Sequence, residues 1–197
     1  MKMKHICVFC GSSMGRQEQY RQAAIDLGTT MARQGVHLVW GGGRVGLMGT
    51  IADAVLAGGG QTVGVIPTFM VEREVEHVSS TELIEVDTMH ARKAVMAERA
   101  DGFIALPGGF GTLDELFEIL TWGQLQIHGK PVGLLNVGGY FDPLLQWIDH
   151  AEREGFIRPH HRQLYTVANN AEALLEQMRQ HAAPTEDWVG KVQLEQT

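Results

Sequence analysis

Along nearly the whole chain, short apolar runs alternate with longer stretches in which apolar positions recur every three or four residues. The short runs predict strands at 5–10, 36–40, 62–66, 82–86, 102–106 and 131–135, with a weaker one at 164–168. The longer stretches predict helices at 17–34, 46–58, 89–99, 112–127, 141–154 and 170–181. "GFIAL" and "PVGLL" are apolar on both faces, as strands are when helices cover both sides of a parallel sheet. Alternation of this kind predicts a doubly wound, Rossmann-like α/β fold in a single domain. That domain is expected to span 1–183. Residues 184–197, polar around Trp188 and Val189, then form a C-terminal tail.

Three predicted strands run into glycine-rich loops: "CGSS" at 10–13, "GGGRVGLMG" at 41–49 and "PGGFGT" at 107–112. Ligands of such sheets bind at the carboxyl ends of the strands, near the point where strand order reverses. One glycine is enough for a tight turn. Three such loops predict one crevice lined by backbone N–H groups. Gly41, Gly43 and Gly46 formally match the dinucleotide fingerprint, but they follow the second strand, and no acid stands near position 61 to hold a ribose diol. Asp53 comes too early, inside the next helix. No loop carries the Lys-Ser or Lys-Thr pair of a nucleotide triphosphatase. A smaller anion, such as a single phosphate at a helix N-terminus, fits what remains.

Thr112 suits that task, because its hydroxyl and the nearby amides face an incoming anion. Thr112-Leu113-Asp114-Glu115 also spells a capping box, in which Glu115 reaches back to the Thr112 N–H and Asp114 complements the helix dipole. Upstream, Arg92 and Lys93 stand near the positive end of a helix, where acids are favoured. Neither has an acid three or four positions away. They form either a solvated surface pair or a cationic wall facing the anion or Glu115.

Composition narrows the function classes. The chain has 197 residues, 44% hydrophobic and 20% charged, enough for a core without disulfides or metals. A formal charge of −7 argues against nucleic acid and anionic membrane as partners. The first apolar run, Ile6 to Cys10, is too short for a signal peptide or a membrane span, which predicts a cytoplasmic protein. Cys7 and Cys10 have C-x-x-C spacing, but side chains three apart on a strand point to opposite faces. They read as buried structural thiols. Of nine histidines only His160 and His161 are adjacent, and the pair reads as surface residues rather than a metal site.

The stretch "MHARKAVMAERADGFIALPGGFGTLDE" resembles the LOG (Lonely Guy) family of cytokinin riboside 5′-monophosphate phosphoribohydrolases. The family hallmark P-G-G-x-G-T-x-x-E is matched by Pro107, Gly108, Gly109, Gly111, Thr112 and Glu115, and its Arg-Lys pair by Arg92 and Lys93. The likeness runs from about residue 5 to 180, with "CGSS" and "GGGRVGLMG" in family order. Many members were long labelled lysine decarboxylases, yet none of Lys2, Lys4, Lys93 and Lys130 lies in a recognisable pyridoxal phosphate site.

The resemblance implies hydrolysis of the N-glycosidic bond of an adenosine 5′-monophosphate, plain or N6-modified, to free base and ribose 5-phosphate. Arg92 and Glu115 would be catalytic, with their individual roles unseparated. Gly108, Gly109, Gly111 and Thr112 would hold the phosphate, with contacts from Ser12, Ser13, Gly42, Gly43 and Lys93, and Met89 would lie against the adenine. It implies no metal or organic cofactor, and a homodimer. Trp122, Leu125 and Ile127 either form an apolar contact between subunits or are buried within the monomer. The alternatives are a general AMP nucleosidase, a molybdenum-cofactor carrier on the same fold, and a regulatory nucleotide sensor.

Overall fold

The computed structural model describes residues 3–71, 77 and 79–181. In chain order it contains β1 (His5–Phe9), α1 (Glu18–Arg33), β2 (His37–Trp40), α2 (Gly46–Ala57), β3 (Thr62–Pro67), α3 (Thr68–Val71) and β4 (Glu82–Val86). There follow α4 (Met89–Arg99), β5 (Gly102–Ala105), α5 (Phe110–Gln124), β6 (Val132–Leu135), α6 (Asp142–Arg153), β7 (Thr166–Ala168) and α7 (Ala171–Arg179). The strands form one seven-stranded parallel sheet in the order β4-β3-β2-β1-β5-β6-β7. The doubly wound α/β fold expected from the sequence is the fold observed.

Strand order reverses at β1, where Ile6 is paired with Leu38 of β2 on one side and Gly102 of β5 on the other. The right-handed crossovers of parallel sheets put successive helices on opposite faces once the winding direction changes. Accordingly α1, α2 and α7 pack on one face, around Ile6, Val8, Leu38, Trp40 and Ile104. Helices α4 and α5 cover the other, around Phe9, Val39, Phe103 and Ala105. Cys7 belongs to the second core and Cys10 to the first, so the two thiols do point to opposite faces. Burial pushes both pKa values far up, which suits inert thiols.

Two expectations change. Helix α5 starts at Phe110 with Gly109 as its N-cap, not at Thr112. Thr112 therefore lies in the first turn, and the Thr112–Glu115 capping box does not form. Gly109 takes the N-cap position in an extended conformation and has no side chain to cap the first turn. His161 is buried rather than on the surface, held in a short 3-10 turn (Pro159–Leu164). The tail from Pro184, with Trp188 and Val189, lies outside the described residues.

Candidate active site

At the reversal point the ends of β1 and β5 are stitched together: the Gly11 N–H donates to the Pro107 carbonyl at 3.1 Å and the Leu106 N–H to the Phe9 carbonyl at 2.9 Å. The first loop is also tied to α2, whose Leu47 N–H donates to the Gly11 carbonyl at 3.0 Å. A cleft of about 300 Å³ opens above these ends. Its polar wall is Ser12, Gly109, Gly111, Thr112 and Glu115, with Arg92 at its base; its apolar wall is Met48, Met70, Met89 and Phe110.

The first-turn amides of a helix have no partners within it. In α5 these belong to Phe110, Gly111 and Thr112; the first intrahelical bond in that turn runs from the Leu113 N–H to the Gly109 carbonyl. The helix dipole adds partial positive charge at the same place. Close packing shapes the loop. A Cβ on Gly108 would lie 2.0 Å from the Thr112 hydroxyl and 2.8 Å from the Gly11 nitrogen.

Arg92 is only 6% exposed. Its Nε donates to the Val65 carbonyl at 3.0 Å and its Nη2 to the Gly41 carbonyl at 2.6 Å. One carbonyl lies within β3 and the other on the residue after β2, so the backbone of the sheet itself orients the guanidinium. Thr88 caps α4 through a bond from the Ala91 N–H and sets the start of the helix that carries Arg92. One turn into α5, Glu115 is partly buried. Burial raises its pKa from 4.5 to about 7, against the pull of the positive charge on Arg92. The carboxyl thus sits near neutrality in a site with a fixed cation close by, a combination suited to proton transfer or to stabilising a cation that forms in the cleft.

The other expected site residues divide. Ser12, Met89, Gly109, Gly111 and Thr112 line the cleft with Arg92 and Glu115. Ser13 and Gly108 line an adjoining cavity behind the loop. Gly42 and Gly43 turn inward: the Gly42 carbonyl accepts from the His77 N–H, and the Gly43 carbonyl from the Trp40 indole, each at 3.2 Å. Lys93 spends its charge elsewhere, bridging Asp114 and Glu118 of α5 at 3.1 Å each. Burial opposes that charge, but the bonds to the two acids outweigh it and raise the lysine pKa. Of the cationic pair, Arg92 alone lines the cleft.

Six lining residues fall outside the expected site set: Gly11, Asp114 and four more. Met48 stands within "GGGRVGLMG", a stretch whose glycines are its plain signal. Met70 belongs to α3, a four-residue helix too short to leave a periodic pattern. Phe110 occupies the variable position of the hallmark and is 95% exposed at the mouth of the cleft. Cys10 is buried in the core yet reaches the floor. Gly41, noted only for the dinucleotide match, is the glycine of its loop that meets a catalytic candidate.

A family model described as "Possible lysine decarboxylase" matches residues 48–178. The chain is 50% identical over 180 residues to the probable cytokinin riboside 5′-monophosphate phosphoribohydrolase LOGL9 of Oryza sativa subsp. japonica, covering 91% of this chain and 79% of the relative. It is 51% identical over 180 residues to the cytokinin riboside 5′-monophosphate phosphoribohydrolase LOG1 of Arabidopsis thaliana, covering 91% and 84%. Among solved structures, the molybdenum cofactor binding protein of Rippkaea orientalis superposes with a TM-score of 0.68 at 25% identity, over 91% of this chain and 98% of that one. The molybdenum cofactor carrier protein of Chlamydomonas reinhardtii gives 0.69 at 22% identity, over 93% and 100%, a likeness of fold.

Proposed function

The chain belongs to the LOG family, the family matched by the lysine decarboxylase model, and from that premise we infer that it is a hydrolase of N-glycosyl bonds. It cleaves a cytokinin riboside 5′-monophosphate to free base and ribose 5-phosphate. The observation that carries this reading is Glu115: a partly buried carboxyl with its pKa raised to about 7, beside Arg92, in the same cleft as the open amides of α5.

In the proposed reaction the 5′-phosphate takes the N–H groups of Phe110, Gly111 and Thr112 and the hydroxyl of Ser12. Cleaving the glycosidic bond builds positive charge on the ribose ring. The Glu115 carboxylate stabilises that charge and orients or deprotonates the attacking water. Arg92, fixed by Gly41 and Val65, holds Glu115 in its ionised form or assists the departing base. Met70 and Met89 offer the base an apolar surface. Binding energy from the remote phosphate positions the bond, so the monophosphate is much preferred over the free nucleoside. The reaction calls for no metal or organic cofactor.

We also propose a cytoplasmic homodimer. Among the described residues, no helix is long and apolar enough to cross a membrane. Leu125 and Ile127 are 44% and 64% exposed, which supports a contact with a second copy, whereas Trp122 packs partly buried against the core. The tail at 184–197 is proposed to lie outside the catalytic domain. The likeness of fold to molybdenum cofactor carriers makes a non-catalytic carrier the second reading. That role gives Arg92 and Glu115 nothing to do. Glu115→Ala tests the choice: turnover should fall at least about 100-fold, as for loss of a general acid–base group, with ribose 5-phosphate still bound. Wild-type turnover in the folded variant contradicts it.

A further inference from the structure

Behind the glycine loop, on the side away from Arg92 and Glu115, lies a second cavity of about 230 Å³. Gly11, Ser13, Tyr20, Gly108, Gly109 and Tyr140 line it. Here the Tyr140 hydroxyl donates to the Gly108 carbonyl. In a planar trans peptide the C=O and the N–H point in opposite directions. A bond that draws the Gly108 carbonyl toward Tyr140 therefore turns the Gly109 N–H the other way, toward the cleft. The lining agrees with this orientation: Gly109 borders both spaces, whereas Gly108 borders the rear cavity and not the cleft.

Tyr140 is held in place with unusual thoroughness for a residue that is 38% exposed. It follows a 3-10 turn (Val137–Gly139) in which Gly138 and Gly139 take φ values of +57° and +73°. Those values belong to the left-handed region that glycine alone enters cheaply. The Asn136 side chain ties the turn shut, donating to Asp142 and accepting the Phe141 N–H, both at 2.7 Å. Next in sequence, Phe141 is buried in the core at 1% exposure. The Tyr140 ring leans edge-on against Tyr20, with ring centres 5.6 Å apart. All of this aims one hydroxyl at one loop carbonyl.

We propose that Tyr140 is a positioning residue for phosphate recognition, fixing the Gly108–Gly109 peptide so that the Gly109 N–H joins the amides of α5 in meeting the 5′-phosphate. The assignment rests on the phosphoribohydrolase reading. It adds to that reading a residue from a fourth loop, after β6, that touches no substrate.

Tyr140→Phe keeps the ring and removes the hydroxyl. The test compares it with wild type and with Tyr20→Phe, which takes a hydroxyl from the same cavity but leaves the Gly108 bond. Ribose 5-phosphate and adenosine binding are measured by calorimetry, KM and kcat on AMP and on isopentenyladenosine monophosphate, and thermal unfolding alongside. In Tyr140→Phe, the ribose 5-phosphate Kd and the KM of both monophosphates should rise about three- to tenfold, the scale of one hydrogen bond. Adenosine binding and Tyr20→Phe should match wild type. Unchanged ribose 5-phosphate affinity in folded Tyr140→Phe overturns the assignment, and so does an equal loss for adenosine. A wild-type protein that turns over adenosine as well as AMP overturns the phosphoribohydrolase reading together with it, a failure visible before any variant is made.

Discussion

The Nη2 of Arg92 lies 2.6 Å from the carbonyl oxygen of Gly41, and a Cβ on Gly41 would lie 1.9 Å from that same nitrogen. Of the two residues whose carbonyls orient the buried guanidinium, the one at position 41 must therefore lack a side chain. Gly41→Ala should displace Arg92 from both carbonyls while leaving β2 intact. We expect kcat/KM to fall by about tenfold or more, because a misplacement of an ångström in a catalytic constellation costs one to two orders of magnitude. Steady-state kinetics alongside circular dichroism check this; wild-type kinetics in the folded variant contradict it.

The pH dependence follows from Glu115. If its carboxylate is the working form, kcat/KM should rise with pH through an inflection near 7, the value to which burial lifts this group. The second ionisation of the substrate phosphate lies lower, at about 6. Arg92 pulls the Glu115 pKa down, so Arg92→Gln should move the inflection to higher pH as well as slow the reaction. An inflection that stays in place contradicts the coupling.

The same group links stability to pH with a definite sign. Its folded pKa is raised above 4.5, so the unfolded chain releases the proton first. Between pH 4.5 and about 7 the fold loses stability as pH rises. Glu115→Gln should abolish that decline and be the more stable protein at pH 8, with the difference fading below pH 4.5. Thermal melts across that range measure it.

At Gly108 the constraint is closeness rather than backbone angle. An added Cβ meets the Thr112 hydroxyl at 2.0 Å and the Gly11 nitrogen at 2.8 Å. Gly108→Ala should push the loop off the start of α5 and weaken ribose 5-phosphate binding by about tenfold or more. Calorimetric titration decides it.

Lys93 gives the contrasting case. It bridges Asp114 and Glu118 across the α4–α5 seam, with the Asp114 side chain largely exposed. Lys93→Met should cost about 1 kcal/mol of stability and leave the KM for AMP within about twofold. A large rise in KM would return Lys93 to the phosphate site.

The fold was legible because its signals are local. Strands apolar on both faces and helices of ten residues or more leave unmistakable periods, and their bounds were placed to within a few residues. The hallmark loop was equally plain, since three glycines within four positions at a strand end are more than a tight turn needs. What sequence concealed depends on contacts across the fold. The capping box at Thr112 is a valid local pattern that lost to an earlier helix start at Gly109. Lys93 looked unpaired because its acids stand on α5, some 20 residues downstream of its own helix turn. Nothing in the spacing of Arg92 or of Tyr140 announces that each is aimed at a single carbonyl on another loop.

Cleavage of the glycosidic bond of a nucleoside 5′-monophosphate is tested by a product assay. Purified protein is incubated with AMP, with isopentenyladenosine monophosphate and with adenosine, and free base is followed by chromatography. Base and ribose 5-phosphate are expected from the monophosphates and none from adenosine, the ratio of the two rates reporting how far the prenyl group matters. Nucleotides that bind but release no base would contradict it and leave a carrier or sensor on the same fold.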